Sequence, residues 1–128
     1  MSKFYLRRNS RIAFVQMAIQ KELIGNMHIS SFLSAPDLWA WGKFDVIFFR
    51  KLYQDLEQNW NLLTELFKSK SNKESHYLCP ILKGIIKCGL LELKIYKIDP
   101  QIIVPEYIRI GKSLLGIEYI KSIYIFLN

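Results

Sequence analysis

Asp45–Phe67 reads DVIFFRKLYQDLEQNWNLLTELF. Phe48, Phe49, Leu52, Leu56, Trp60, Leu63 and Phe67 recur at three- and four-residue steps. Arg50, Lys51, Gln54, Glu57, Gln58, Asn61, Glu65 and Lys68 fill the other side. A period near 3.6 predicts a long amphipathic helix here, or two helices that meet near Asn59–Asn61.

The same period extends outward in both directions. Upstream, Ile12, Val15, Ile19 and Leu23 form an apolar stripe, with Asn9 or Ser10 as the expected cap and Gly25 as the stop. Between them lies 26–43, a less regular stretch with room for a short helix near Ile29–Leu33. Pro36 and Gly42 punctuate it, and Trp39 and Trp41 are expected to pin it to the core or to anchor a partner. Downstream, Lys68–Ser75 is a polar connector. A helix is then expected over Leu78–Ile95, with Leu78, Leu82, Ile85, Ile86, Gly89, Leu93 and Tyr96 facing inward. Asp99-Pro100 breaks it. The next helix is expected to start close to Pro105, with that proline in its first turn, and to stop at Gly116. The tail, 117–128, is apolar on nearly every side and reads as a buried helix. With no repeat and no strand-rich segment, the expectation is an all-α compact bundle of six or seven helices in one domain over 1–128.

Half of the 128 residues are hydrophobic, which suits a single core. The formal net charge of +7 directs attention to polyanions: RNA, DNA or anionic membrane. Arg7, Arg8 and Arg11 concentrate that charge where the first turns of a helix are expected. The helix dipole disfavours cations there, which suggests an outside anion such as a phosphate, while a solvated basic terminus that keeps the protein soluble would explain the cluster equally well. Arg7, Arg11, Phe14, Ala18 and Lys21 share one helix face. An aromatic ring among cations suits single-stranded RNA, where bases stack and phosphates pair, although a lone Phe also suits helix packing. Lys83, Lys87 and Lys94 form a second basic stripe, which an ordinary solvated face would also explain.

Catalytic chemistry is not evident. His28 and His76 lack metal-ligand spacing to Cys79, Cys88 or each other. No glycine-rich phosphate loop follows a strand. Glu92 is a lone acid between apolar positions, better suited to pairing with a lysine or arginine than to acid–base work. Neither a metal nor a cofactor is expected, and an enzyme is not. The two cysteines would lie roughly 13 Å apart along one helix, too far for a disulfide. Reduced cysteines without a signal peptide suit the cytoplasm, and no run reaches the roughly 20 apolar residues of a membrane span.

The order of these segments resembles the NusB family of bacterial transcription antitermination factors over Arg7–Asn128. Arg7-Arg8-Asn9-Ser10-Arg11-Ile12-Ala13-Phe14-Val15-Gln16 is similar to the family's basic opening before an Ala-x-x-Gln-type helix. Asp45-Val46-Ile47-Phe48-Phe49-Arg50-Lys51-Leu52 is similar to the start of its central helix. Ile86-Lys87-Cys88-Gly89-Leu90-Leu91-Glu92-Leu93 resembles its Leu-Arg-x-Ala-x-Tyr-Glu-Leu segment. Asp99-Pro100, Val104, Glu106, Ile110 and Lys112 follow the register of its Pro-x-x-Val-x-Ile-Asn-Glu-Ala stretch.

The resemblance implies two packed three-helix units that bind a boxA-like single-stranded RNA, usually with the ribosomal protein NusE, and join an RNA polymerase antitermination complex. It implies an RNA surface of Arg7, Arg8 and Arg11, extended by Lys121 and Lys87, with Phe14 and Tyr124 as candidates for base stacking. The family's C-terminal Lys-Phe-Val-Asn-Gly motif reads Lys121-Ser122-Ile123-Tyr124-Ile125 here, and Pro105 replaces the Asn before Glu106. These departures open a second expectation: a protein-interaction adaptor of the same fold that no longer reads an RNA sequence.

Overall fold

A computed structural model describes residues 3–25, 44–70 and 79–128 of the chain. Among these, 89% are helical and none is in a strand. Six α-helices carry the fold. They are α1 (Lys3–Ile24), α2 (Val46–Gln58), α3 (Trp60–Lys70), α4 (Pro80–Leu90), α5 (Pro100–Leu115) and α6 (Ile120–Leu127). A π-helical turn, Leu91–Ile95, prolongs α4, and a 3-10 turn, Ile117–Tyr119, leads into α6. The expected short helix at Ile29–Leu33, Trp39, Trp41, His28, His76 and Leu78 lie outside the described residues, as does the second half of the polar connector.

Local chemistry explains most boundaries. The Asp45 side chain accepts from the Phe48 backbone N–H at 3.0 Å and caps α2. The helix over Asp45–Phe67 divides at Asn59, where Asn59 Nδ2 and its backbone N–H both donate to the Asp55 carbonyl. Pro80 opens α4 without needing its missing N–H. Gly116, at φ 88°, ends α5 in a backbone state that other residues rarely adopt.

Two boundaries differ from expectation. α1 begins at Lys3, so Asn9 and Ser10 lie within it and Arg7 and Arg8 are past its first turn. Ser10 serves a tertiary contact instead: its Oγ accepts from the Asp45 N–H at 2.8 Å and lies 2.9 Å from the Asp45 carbonyl. α5 begins at Pro100, capped by the Asp99 carboxylate on Gln101 N–H, and Pro105 sits inside it. An interior proline loses one helical hydrogen bond. Here the carbonyl left unpaired belongs to exposed Gln101, where water can meet it.

The core is one cluster built from every helix: Phe14 and Met17 of α1, Phe49, Leu52 and Leu56 of α2, Leu63 and Phe67 of α3, Leu82, Ile85 and Ile86 of α4, Ile103 and Tyr107 of α5, and Ile123 and Phe126 of α6. α1 packs against both α4 and α2. Its approach to α4 is close because Gly84 has no side chain: a Cβ there would lie 3.0 Å from the Ile19 backbone nitrogen. Phe67 stacks on Phe126 at 4.8 Å, joining α3 to α6. The stripe expected on α1 is buried or half-buried through Ile19, while Leu23 emerges exposed. α6 is half-buried, since Tyr124 and Ile125 face outward. No described helix is long and apolar enough to cross a membrane.

Candidate nucleic-acid interface

The three arginines of α1 have three different environments. Arg11 turns inward. Its Nε and Nη2 donate to both oxygens of Glu92 at 2.9–3.2 Å, and the Tyr107 hydroxyl donates to the same carboxylate. All three groups are buried. Burial opposes the charge on Arg11, but its hydrogen bonds to Glu92 and the carboxylate's charge outweigh this and hold the guanidinium above its usual range. Burial, then the charge of Glu92, pushes the Tyr107 phenol well up. The network ties α1, the π turn and α5 together. Breaking such a pair by removing one partner is costly, because it strands a buried charge.

Arg8 is half-way out. It donates to Glu106 at 3.1 and 3.4 Å, and Arg109 donates to the same carboxylate at 3.1 Å. Two cations thus meet at one carboxylate, through an Arg8 side chain that is 29% exposed and an Arg109 that is 54% exposed.

Arg7 faces solvent. Its guanidinium lies 5.1 Å from the centre of the Phe48 ring. Buried Arg11 approaches that ring from the protein side at 5.3 Å. Arg7 and Phe48 belong to a groove of about 400 Å³, lined also by Asp45, Ile47, Lys51, Tyr96 and Ile98. Lys51 Nζ lies 5.1 Å from the Tyr96 ring centre, and the Tyr96 hydroxyl donates to Asp55. The groove therefore holds two cation–aromatic pairs on a partly apolar floor. Such a surface can pair phosphates with Arg7 and Lys51, and can stack a base on Phe48 or Tyr96 where Arg7 or Lys51 swings off the ring it covers.

Burial corrects three expected site residues. Arg11 is spent on Glu92. Phe14 is fully buried in the core. Lys87 is also buried: it pairs with Glu22, donates to Thr64 Oγ1 at 3.0 Å and lies 4.1 Å from the centre of the Trp60 ring. None of the three can touch a strand on the surface, so the Lys83–Lys87–Lys94 stripe is not one face. Lys121 and Tyr124 are exposed on α6. Among the described residues, no hydrogen bond, ion pair or ring contact joins either side chain to the α1 arginines.

Phe48 and Tyr96 are groove residues that the helical period turns to the core, while Lys51 is exposed on the polar face that the period gives it. One signal was present: Val46-Ile47-Phe48-Phe49 are four consecutive apolar residues, and a helix cannot bury all four. Phe49 is buried, Phe48 lines the groove, and Ile47 is 84% exposed.

Among the described residues, no group of three or more His, Cys, Asp or Glu side chains could hold a metal ion. Cys79 is half-buried and Cys88 is buried, and both are free thiols. No model of a known protein family matches the chain, and no curated protein is detectably similar to it in sequence.

Proposed function

We propose that the protein is a NusB-like antitermination factor that binds single-stranded RNA through the exposed end of the α1–α2 pair. The observation that carries the reading is the groove in which Arg7 faces Phe48 and Lys51 faces Tyr96. Charge partition supports it. Glu22, Glu92 and Glu106 are committed to internal partners, so the excess positive charge of the chain lies toward the surface. In this reading Arg7, Arg8 and Lys51 hold phosphates, and the groove rings accept unstacked bases. Lys121 and Tyr124 remain available on α6. Phosphate contacts supply affinity but little sequence information, so choice among sequences would fall to the rings. The target class is a boxA-like RNA, with NusE as the partner and the RNA polymerase antitermination complex as the setting. Binding rather than catalysis is the proposed activity, in the cytoplasm.

The test is binding of a boxA-like oligonucleotide and a scrambled control, with and without NusE. Preference for the boxA-like strand that weakens in Arg7→Ala and in Phe48→Ala supports the reading. Equal binding of both strands reduces it to nonspecific electrostatics. A second reading, a NusB-fold adaptor without sequence-specific RNA binding, draws on Tyr124 and Ile125, which are exposed where the family carries Asn and Gly. Capture of NusE with no RNA shift would favour it.

A further inference from the structure

The π turn fixes both aromatic rings of the groove. Glu92, its second residue, grips Arg11 with both carboxylate oxygens at 2.9–3.2 Å. Arg11 in turn carries its guanidinium to 5.3 Å from the Phe48 ring centre. Tyr96, the residue after the turn, supplies the other ring and is held by its hydrogen bond to Asp55. The Arg11 side chain is only 8% exposed, and the groove is lined by Arg7 and Phe48 but not by Arg11. Arg7 therefore covers the groove side of the Phe48 ring, and Arg11 backs the ring from the interior.

The backing charge changes what the open face of the ring prefers. An aromatic face attracts a cation because its π cloud is negative. A guanidinium fixed on the inner side draws that cloud inward and repels a second guanidinium on the outer side. The two charges share one ring centre, so they stand no farther apart than about 10 Å, a Debye length at 0.1 M salt. They are not equally able to respond. Arg11 is locked in the interior by Glu92, which the Tyr107 hydroxyl also holds, whereas Arg7 is exposed. A neutral base meets no such repulsion and gains a stacking surface. Exchange of Arg7 for a base is therefore favoured on this face, and the displaced guanidinium can pair with the neighbouring phosphate.

We propose that Arg11 is a positioning residue of the groove: from the interior it holds the Phe48 ring and disposes Arg7 to yield the outer face to an RNA base. This inference rests on the RNA-binding reading of the Arg7 groove. It adds a residue that never touches the strand, and it names the element bound: an unstacked base on Phe48 beside a phosphate on Arg7. A backbone without bases would gain nothing from Arg11, because the buried guanidinium reaches no phosphate.

The test compares an oligouridylate of about 8 nucleotides, within the range of single-strand footprints, with an abasic strand of the same length. The ratio of the two affinities, read by fluorescence anisotropy across a salt series, isolates the contribution of the bases. The wild type is expected to favour the oligouridylate by about fivefold or more, which one base–aromatic stack supplies. Arg11→Lys keeps a charge for Glu92 but loses the planar fork that reaches both the carboxylate and the ring. It is expected to lower the ratio by about threefold, and the charge-free pair Arg11→Met/Glu92→Gln by at least as much. The salt slope of that pair should stay within about 0.3 of wild type, whereas Arg7→Ala should lose about 0.7. In a Phe48→Leu background, where the ring is gone, Arg11→Lys should have no further effect on the ratio. Circular dichroism checks the fold of each protein, and Arg11→Lys decides if the charge-free pair does not fold. An unchanged ratio in the folded variants, or an equal effect of Arg11→Lys with and without Phe48, overturns the inference and leaves the Arg7 groove standing. A salt slope that falls by about 0.7 in the charge-free pair also overturns it, by making Arg11 a phosphate ligand. Failure of the wild type to bind either strand overturns the RNA reading and this inference with it.

Discussion

Arg7 and Arg11 stand one turn apart on one helix, and a single aromatic ring, Phe48, lies between their charges. Arg11 is sealed against Glu92 and Tyr107, while Arg7 opens onto the groove. The contrast shows that a basic cluster is not one functional unit. What separates the two arginines is where a distant carboxylate arrives. Glu92, 81 residues away, comes from the π turn into the interior, and nothing comparable reaches Arg7 among the described residues.

The largest test of this contrast is Glu92→Ala. It leaves Arg11 buried and unpaired, and should lower stability by about 3–5 kcal/mol. Arg7→Ala should change stability by less than about 0.5 kcal/mol. Urea unfolding of the two variants reads both numbers. Comparable losses would mean that the two arginines share one environment.

A pH series sharpens the same contrast from the buried side. Burial raises the Cys88 thiol and the Tyr107 phenol well above their ordinary ranges. Both therefore stay protonated in the folded chain while ionising in the unfolded one. The folded state then binds more protons, so this stability is present below roughly pH 8.5–10 and is lost as pH rises. Lys87, lowered by burial, works in the opposite direction and offsets part of the loss. The slope should approach about 1.4 kcal/mol per pH unit for each uncompensated proton. Cys88→Ala should move the onset toward the tyrosine range, as followed by thermal melts between neutral and alkaline pH. An unshifted onset would remove the thiol from this account.

Arg8 supplies the intermediate case. Its pair with Glu106 is part-exposed and shared with Arg109, so Arg8→Ala should cost only about 0.2–1 kcal/mol of stability. The smallest effect on folding, and one of the clearest on binding, belongs to Arg7→Ala. On the proposed RNA-binding reading, removing one phosphate contact should reduce the RNA salt slope by about 0.7 without moving the melting temperature. A fall in melting temperature comparable to that of Arg8→Ala would place Arg7 in the fold rather than at its surface.

The helical fold was legible because its evidence is local. The stripe on α1 and the face over Asp45–Phe67 need only neighbours three and four residues away. The inward role of Glu92 was legible too, since a lone acid between apolar positions needs a cationic partner. Which cation it finds was not legible, because the choice depends on how α1 packs. Lys87 shows the same limit: its spacing fits a basic stripe, but Glu22 and Trp60 draw it inward. Pro105 misplaced the start of α5, because Asp99-Pro100 already supplied both cap and first turn. The groove was missed because its rings come from α2 and from the residue just after the π turn, which are brought together only by tertiary packing.

That turn has a consequence of its own. Its hydrogen bond from Tyr96 N–H to the Leu91 carbonyl spans five residues rather than four. In genetic terms it behaves like a one-codon insertion into an α-helix, rotating all that follows by about 100°. Ahead of the insertion, the chain delivers Glu92 to the interior; behind it, Tyr96 arrives beside Lys51 and Asp55. Deleting exposed Lys94 would place Tyr96 four residues after Leu91, so ordinary winding would keep the same Tyr96 N–H to Leu91 carbonyl bond and leave both Glu92 and Tyr96 in register. A single wide turn thereby lets one helix serve both the interior and the rim.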